Sequence, residues 1–136
     1  MTKLSTLFLG ICILLFLGCS KDDEDFLTPL VGTWETSEIS TSGCTDPNDN
    51  ETLTCTGLPC IVVTINSNST YTFQNNIDQS SETGTVTVTA TTINLCETGA
   101  TDCEAETYSL SGDKLTITFT EDDSPGCLFT IVFTKQ

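Results

Sequence analysis

Apolar and polar residues alternate with a period of two along much of this chain. Threonine fills many of the polar positions, and a β-branched residue with a hydroxyl suits the solvent side of a strand. Such alternation is typical of β-strands with one buried face, and no segment after residue 26 shows a helical period. The alternating apolar positions are Ile61, Val63 and Ile65; Tyr71 and Phe73; Val86 and Val88; Leu115, Ile117 and Phe119; and Phe129, Ile131 and Phe133.

Turn-forming residues separate these predicted strands at short intervals. Segments 66–69 and 111–113, rich in Asn, Ser, Gly and Asp, each lie between two strands. Shorter strand candidates cover 31–38, 91–95 and 105–110. This close spacing predicts an all-β domain, an antiparallel meander of about eight strands that forms a closed barrel or a sandwich. Residues 40–60 are a long polar exception, which we expect to be a loop pinned by its cysteines.

The N-terminal region consists of one cation followed by an apolar run. Lys3 precedes the run from Leu7 to Leu17, which ends just before Cys19. The run is shorter than the roughly 20 residues that a membrane-spanning helix needs. The pattern therefore predicts a secretory signal peptide over residues 1–18, cleaved before Cys19. The plainer alternative is an ordinary signal peptide, with Cys19 as one more core cysteine.

The residues around Cys19 resemble two export motifs. Leu17-Gly18-Cys19 resembles the end of a bacterial lipobox. The residues that follow resemble the export signal of Bacteroidetes surface lipoproteins, and they are Ser20, Lys21, Asp22, Asp23 and Glu24. The resemblance implies that Cys19 is the mature N-terminus, carries fatty acids such as palmitate, and holds the protein on the surface of the outer membrane. Residues 19–27 then form an acidic tether, extended by the repulsion of like charges.

The chain is strongly acidic and carries few cations. Its formal net charge is −15, it contains no His, and Lys21, Lys114 and Lys135 are the only cations after the predicted signal peptide. No cationic face is available to displace counterions from nucleic acid, so nucleic acid is excluded as a partner. Attraction to anionic lipid is excluded on the same ground. Lipid on Cys19 is therefore the expected link to the membrane, because several acyl chains anchor a protein stably.

Six cysteines remain when Cys12 and Cys19 are set aside, and they are Cys44, Cys55, Cys60, Cys96, Cys103 and Cys127. An even number in an exported domain predicts disulfides. Zinc is the competing interpretation, but its usual Cys-x2-Cys spacing and its His ligands are absent. Many pairings stay open. Closure of two short turn-rich loops suggests the pairs Cys96–Cys103 and Cys55–Cys60, and leaves Cys44–Cys127.

A second resemblance involves the predicted strands. Segments 30–34 (Leu-Val-Gly-Thr-Trp), 64–73 and 108–115 resemble the Gly-x-Trp first strand, an internal strand-turn-strand repeat and a later hairpin of small bacterial lipocalin-like domains. Such domains often follow a lipobox and an acidic spacer. The resemblance implies that residues 28–136 form one lipocalin-like barrel with a non-enzymatic binding or interaction function, for which no cofactor is expected.

Aromatic side chains of the predicted barrel are the candidates for ligand contacts. Trp34, Phe73 and Phe119 are candidate ligand-binding residues, and each could instead belong to the core. A barrel of about eight strands is just wide enough to be filled by its own side chains or to hold one small ligand. The small number of large apolar residues favours a mostly filled interior. Candidate partners are a small apolar molecule, a glycan or another surface protein, contacted by the open end or by residues 40–60.

Residues for catalysis are scarce. Without His, neither a Ser-His-Asp nor a Cys-His arrangement can be built. Glu104 and Glu106 would share one face of a regular strand, and they support an alternative function, a carboxylate-dependent hydrolase or inhibitor domain on the cell surface. Acids this common more often form a solvated face, so we expect a protein that is not an enzyme.

A polar stretch in the 40–60 segment carries oxygen ligands at close intervals. Asp46, Asn48, Asp49 and Glu51 are weak candidate calcium ligands. An EF-hand is excluded, because Glu51 stands where that loop requires Gly. The alternative is a plain turn, since Asp, Pro and Asn all favour turns.

Overall fold

The computed structural model describes residues 25–103, 105–120 and 126–136. Almost all the regular structure in these residues is β-strand, with short 3-10 turns at Thr28–Leu30 and Pro47–Asp49. The strands are β1 (Gly32–Thr36), β2 (Glu38–Ser42), β3 (Thr52–Thr54), β4 (Ile61–Ile65), β5 (Thr70–Asn75), β6 (Ser80–Val88), β7 (Thr92–Glu97), β8 (Ala105–Ser111), β9 (Lys114–Phe119) and β10 (Leu128–Lys135). Within the described part of the chain, no helix is long and apolar enough to cross a membrane. The predicted signal peptide, Cys19, the export signal and Glu104 lie outside the described residues.

Eight of the strands close into an antiparallel barrel, in the order β1-β4-β5-β6-β7-β8-β9-β10. The last strand returns to the first, where Trp34 lies opposite Lys135. Apart from the steps across the β2–β3 region and from β10 to β1, each strand pairs with its neighbour in sequence. The predicted all-β meander of about eight strands is therefore confirmed, in the form of a closed barrel.

Strands β2 and β3 extend the wall of the barrel beyond β1, and we call them the β2–β3 extension. β2 continues the path of β1 along β10, but the register changes by one residue, since Glu35 faces Thr134 whereas Ile39 faces Ile131. One extra residue on one strand is a β-bulge, which bends that strand. The prediction of a loop over residues 40–60 is corrected here, because β3 and most of β2 lie within that range.

The core fills the barrel from the end at which the chain enters. Leu30, in the 3-10 turn, is fully buried, and its carbonyl oxygen accepts a hydrogen bond of 2.7 Å from the indole Nε1 of Trp34. Lys135 lies over this indole ring and donates to the carbonyl oxygen of Pro29. We call this the closed end of the barrel. The largest fully buried side chains are Trp34, Tyr71, Phe133, Leu30, Ile65, Ile93 and Leu115.

The folded unit includes residues before the first strand. The side chain of Asp25 accepts hydrogen bonds from the backbone nitrogens of Leu27 and Thr28, at 3.0 and 3.1 Å, and from the Thr28 hydroxyl. These bonds lower the pKa of Asp25, the largest effect coming from the Thr28 hydroxyl. Leu27 packs against the core. The chain is therefore fixed to the closed end from residue 25 onward.

Three disulfides join distant or looped segments, with the pairing suggested by loop closure. They are Cys44–Cys127, Cys55–Cys60 and Cys96–Cys103. The first ties the β2–β3 extension to the start of β10 across a sequence separation of 83 residues. The second closes the loop between β3 and β4, and the third closes the end of the β7–β8 hairpin. Each therefore restrains a connection outside the main ladder of the barrel.

Candidate functional site at the open end of the barrel

The barrel has a second end, away from the 3-10 turn, which we call the open end. β5 and β9 both start near the closed end; the inward-facing row of β5 carries Phe73 and then Asn75, and that of β9 finishes at Phe119. Tyr71 and Leu115, earlier in the same rows, are 2% and 1% exposed. Phe73 and Phe119 are only partly buried, although both pack against the core. Solvent therefore reaches the inward face of the sheet at this end.

Two phenylalanine rings stack on one wall of the open end. Phe119 and Phe129 are direct partners on β9 and β10. Their ring centroids lie 5.2 Å apart, and the planes differ by 9°. An offset stack of this kind adds to the burial of the two rings. Phe129 is also partly exposed, so the stacked pair offers an apolar surface at the open end.

Phe73 lies on the opposite wall. In the closed order of eight strands, three strands separate β5 from β9 in either direction, so the two strands face each other across the barrel. Phe73 therefore faces the stacked pair across the open end. An apolar molecule that enters the open end would meet aromatic rings on both sides.

A carboxylate lies beside Phe73 on the inward face. Glu82 on β6 is the direct partner of Phe73 on β5, and directly opposed residues share one face of the sheet. The hydroxyl of Tyr71 donates a hydrogen bond of 2.8 Å to Oε1 of Glu82. Gly84 makes this bond possible, because a Cβ atom there would lie 2.8 Å from Cε1 of the Tyr71 ring.

Tyr71 stays protonated in this setting. Burial raises the pKa of Tyr71 well above its ordinary value, and the hydrogen bond to Glu82 raises it further. The charges of Glu82 and Glu97 act in the same direction. The hydroxyl of Tyr71 is therefore a fixed donor that orients the carboxylate of Glu82.

Two further carboxylates occupy inward positions. Glu97 on β7 is the partner of Gly84, and Gly84 lies on the same face of β6 as the buried Val86. The side chain of Glu97 is exposed at the end of its strand. Glu106 on β8 is the partner of Ile93, which is 1% exposed, and Glu106 itself is partly buried. The inward face toward the open end thus combines aromatic rings with negative charge.

The two described cations lie at the closed end. Nζ of Lys114 donates to the hydroxyl of Thr134 at 2.7 Å, and Nζ of Lys135 donates to the carbonyl oxygen of Pro29 at 3.1 Å. Neither of these hydrogen bonds involves Phe73 or Phe119. Across residues 25–103, 105–120 and 126–136, the barrel is therefore polarised, with its cations at one end and inward carboxylates toward the other.

The candidate calcium ligands form a compact turn beside the β2–β3 extension. Oδ1 of Asp46 accepts from the backbone and side-chain nitrogens of Asn48, at 2.9 and 2.8 Å. Glu51 lies after this turn, and its backbone exchanges two hydrogen bonds with the backbone of Thr41. Among the residues whose placement is described, no group of three or more His, Cys, Asp or Glu side chains is arranged to hold a metal ion.

The structure brings together two of the three candidate ligand-binding residues. Phe73 and Phe119 both reach the open end, whereas Trp34 is fully buried at the closed end. Of the predicted pair Glu104 and Glu106, only Glu106 lies among the described residues. Sequence reasoning did not single out Glu82 as part of a site. The sequence does indicate its position, because every second residue of a strand lies on the same face. Glu82 therefore shares a face with Gly84 and the apolar Val86.

Comparison with known families gives one match. The family model described as a lipocalin-like domain matches residues 30–135. No curated protein and no solved structure matches the chain. The matched segment includes every strand of the barrel and both walls of the open end.

Proposed function

Because the chain belongs to the lipocalin-like domain family, we propose that it is a non-enzymatic binding protein that takes up a small, largely apolar molecule at the open end of its barrel. The observation that carries this proposal is the partial exposure of Phe73, Phe119 and Phe129, which face inward on two opposite walls. A binding site is typically concave and mostly apolar, with a few placed polar groups. The open end has this composition.

The depth of the site follows from the packing below it. Trp34, Tyr71 and Phe133 are buried to 2% exposure or less and fill the lower barrel. The ligand therefore lies near the rim, between Phe73 and the stacked pair of Phe119 and Phe129. Part of a bound molecule would project beyond the barrel, where the β2–β3 extension stands beside it. The site suits a molecule with one apolar portion rather than a long, fully enclosed chain.

We also propose that the protein is held on the outer membrane surface by lipid on Cys19. The proposal draws on the lipobox-like and export-like residues that precede the domain. An extended chain covers at most about 3.5 Å per residue, so the segment from Cys19 to Asp25 can reach at most about 20 Å. Because Asp25 is fixed at the closed end, such an anchor directs the open end away from the membrane.

A fluorescence titration tests the binding function. The full chain is titrated with N-phenyl-1-naphthylamine, a neutral apolar probe whose emission rises in apolar surroundings. Phe73→Leu and Phe119→Leu retain apolar volume but remove the rings. We expect each to raise the Kd about fivefold, because the loss of aromatic contact amounts to about 1 kcal/mol.

Val132→Ala is the matched control for this titration. Val132 is 45% exposed on the outer face of β10, so its truncation should leave the Kd unchanged. The proposal is overturned if the wild-type chain shows no saturable binding. It is equally overturned if Val132→Ala weakens binding as much as the two phenylalanine substitutions.

A further inference from the structure

We propose that the ligand is an organic cation, an apolar body that carries an amine or quaternary ammonium group. This inference rests on the proposed function and specifies its ligand class. The apolar body would contact Phe73, Phe119 and Phe129, and the cationic group would lie against the carboxylates of Glu82 and Glu106. The arrangement combines three features: inward carboxylates, inward aromatic rings, and the location of both described lysines at the opposite end of the barrel.

The distribution of charge selects the sign of the ligand. Glu82, Glu97 and Glu106 all lie on inward rows. Lys114 and Lys135 are hydrogen-bonded at the closed end. An anionic head group at the open end would approach carboxylates of its own sign, with no described cation to offset them. Charge complementarity at a site suppresses the wrong partners, so fatty acids and other anionic amphiphiles are poor ligands here.

The aromatic rings favour the same class of ligand. A cation over the face of an aromatic ring is attracted by the ring quadrupole, and quaternary ammonium groups are recognised in this way. Phe73 and Glu82 are direct cross-strand partners, and Cβ atoms of such partners lie about 5 Å apart. One ammonium group can therefore contact a ring and a carboxylate at the same time.

The carboxylate of Glu82 is oriented for this contact. Its Oε1 accepts the hydrogen bond from Tyr71. Among the described residues, no hydrogen bond to its Oε2 is found. The buried Tyr71 needs an acceptor for its hydroxyl, and this need accounts for the hydrogen bond to one of the two carboxylate oxygens of Glu82. The second oxygen is left to accept from a ligand.

A structural role for Glu82 alone does not account for the whole pattern. Satisfying the Tyr71 hydroxyl requires only a neutral acceptor such as Gln. Glu82 also carries a full charge while it is partly buried beside Phe73 on the inward face. Holding a charge partly out of water costs free energy, and a bound cation would compensate that cost.

Calorimetric titration of the full chain with three probes of equal chain length tests the inference. The probes are decyltrimethylammonium and decanoate, each below its micelle concentration, and decanol below its solubility limit. We expect decyltrimethylammonium to bind at least about tenfold more tightly than decanoate, with decanol between them. The preference should weaken as salt concentration rises, because partly exposed charges are screened.

Substitutions at two inward positions and one outward position distinguish an effect of the site from an effect of the net charge of the protein. Glu82→Gln keeps an acceptor for Tyr71, and Glu106→Gln keeps the shape of its side chain. Each should weaken decyltrimethylammonium binding about fivefold relative to decanol binding. Glu35→Gln removes the same charge from the outward row of β1 and should leave the preference intact.

The outcomes distinguish failure of the inference from failure of the proposed function. If decanol and decanoate bind but decyltrimethylammonium gains no advantage, the cation preference is wrong and the binding function stands. If Glu35→Gln weakens the cationic probe as much as Glu82→Gln, the preference belongs to the net charge and the inference is overturned. If none of the three probes binds, the binding function fails, and the inference fails with it.

Discussion

Nζ of Lys135 lies 5.1 Å from the ring centroid of Trp34 at the closed end of the barrel. The two residues are direct partners on β10 and β1, the pair of strands that completes the barrel. Gly32 makes room for this contact, since a Cβ atom there would lie 2.8 Å from Cε of Lys135. A cation over an indole ring therefore covers the core at the end where the chain enters the fold.

Replacing Lys135 with Met should destabilise the barrel by about 1 kcal/mol, because the cation–π contact and the hydrogen bond to Pro29 are lost while the apolar stem is kept. Urea unfolding of the full chain measures the change. Lys114→Met is the control, since its exposed bond to Thr134 should be worth less than about 0.5 kcal/mol. Equal losses in the two variants would contradict a specific role for the contact with Trp34.

Gly84→Ala should destabilise the protein by about 1–3 kcal/mol through overpacking. A Cβ atom at this position would lie 1.9 Å from the carbonyl oxygen of Cys96 and 2.8 Å from the ring of Tyr71. The measurement is the thermal unfolding midpoint, with Thr83→Ala on the exposed face of the same strand as control. An unchanged midpoint in Gly84→Ala would show that the Tyr71 ring does not cross this position.

The disulfides should differ in their contributions to stability. In the chain-entropy model, a loop of 83 residues is worth about 4–5 kcal/mol, and a loop of 5 residues is worth about 2 kcal/mol. Guanidinium unfolding should therefore show a larger loss for Cys44→Ala with Cys127→Ala than for Cys55→Ala with Cys60→Ala. The reverse order would mean that the β2–β3 extension contributes little to the cooperative unit.

Cys19→Ala should release the protein from the membrane fraction. The expected wild-type product begins at Cys19 and carries fatty acids detectable by mass spectrometry, because stable anchoring requires more than one acyl chain. Cys12→Ala, inside the predicted signal peptide, is the control and should leave anchoring unchanged. An unmodified wild-type N-terminus would contradict the proposed anchor.

The strands of the barrel could be predicted because their signal is local. In β9 the inward residues Leu115, Ile117 and Phe119 are apolar and the outward ones are Lys114 and two threonines, so one buried face is visible in the sequence. The β2–β3 extension was missed for the opposite reason. Thr52–Thr54 is exposed throughout, so no buried face leaves a period in the sequence.

The ends of the barrel could not be predicted, because they depend on register between strands that are distant in sequence. The alternation in their strands predicts that Trp34 and Phe73 both face inward. Both are partners of Val63, on the two strands that flank it. The pairing of Trp34 with Lys135 brings Trp34 against the chain entry, whereas Phe73 lies beside Glu82, farther from the chain entry than Tyr71. Glu82 was missed for a related reason. A carboxylate in a strand is expected to face solvent, and only the structure shows that the hydroxyl of the buried Tyr71 donates to it.

Mapping the bound probe on the full chain by 15N–1H NMR tests the central claim most directly. N-phenyl-1-naphthylamine is titrated while the backbone amide shifts are followed, so the measurement reports the place of binding as well as its occurrence. We predict saturable shifts concentrated near Phe73, Glu82 and Phe119, with residues around Lys114 at the closed end unchanged. Shifts centred on the closed end, or none that saturate, would contradict binding at the open end of the barrel.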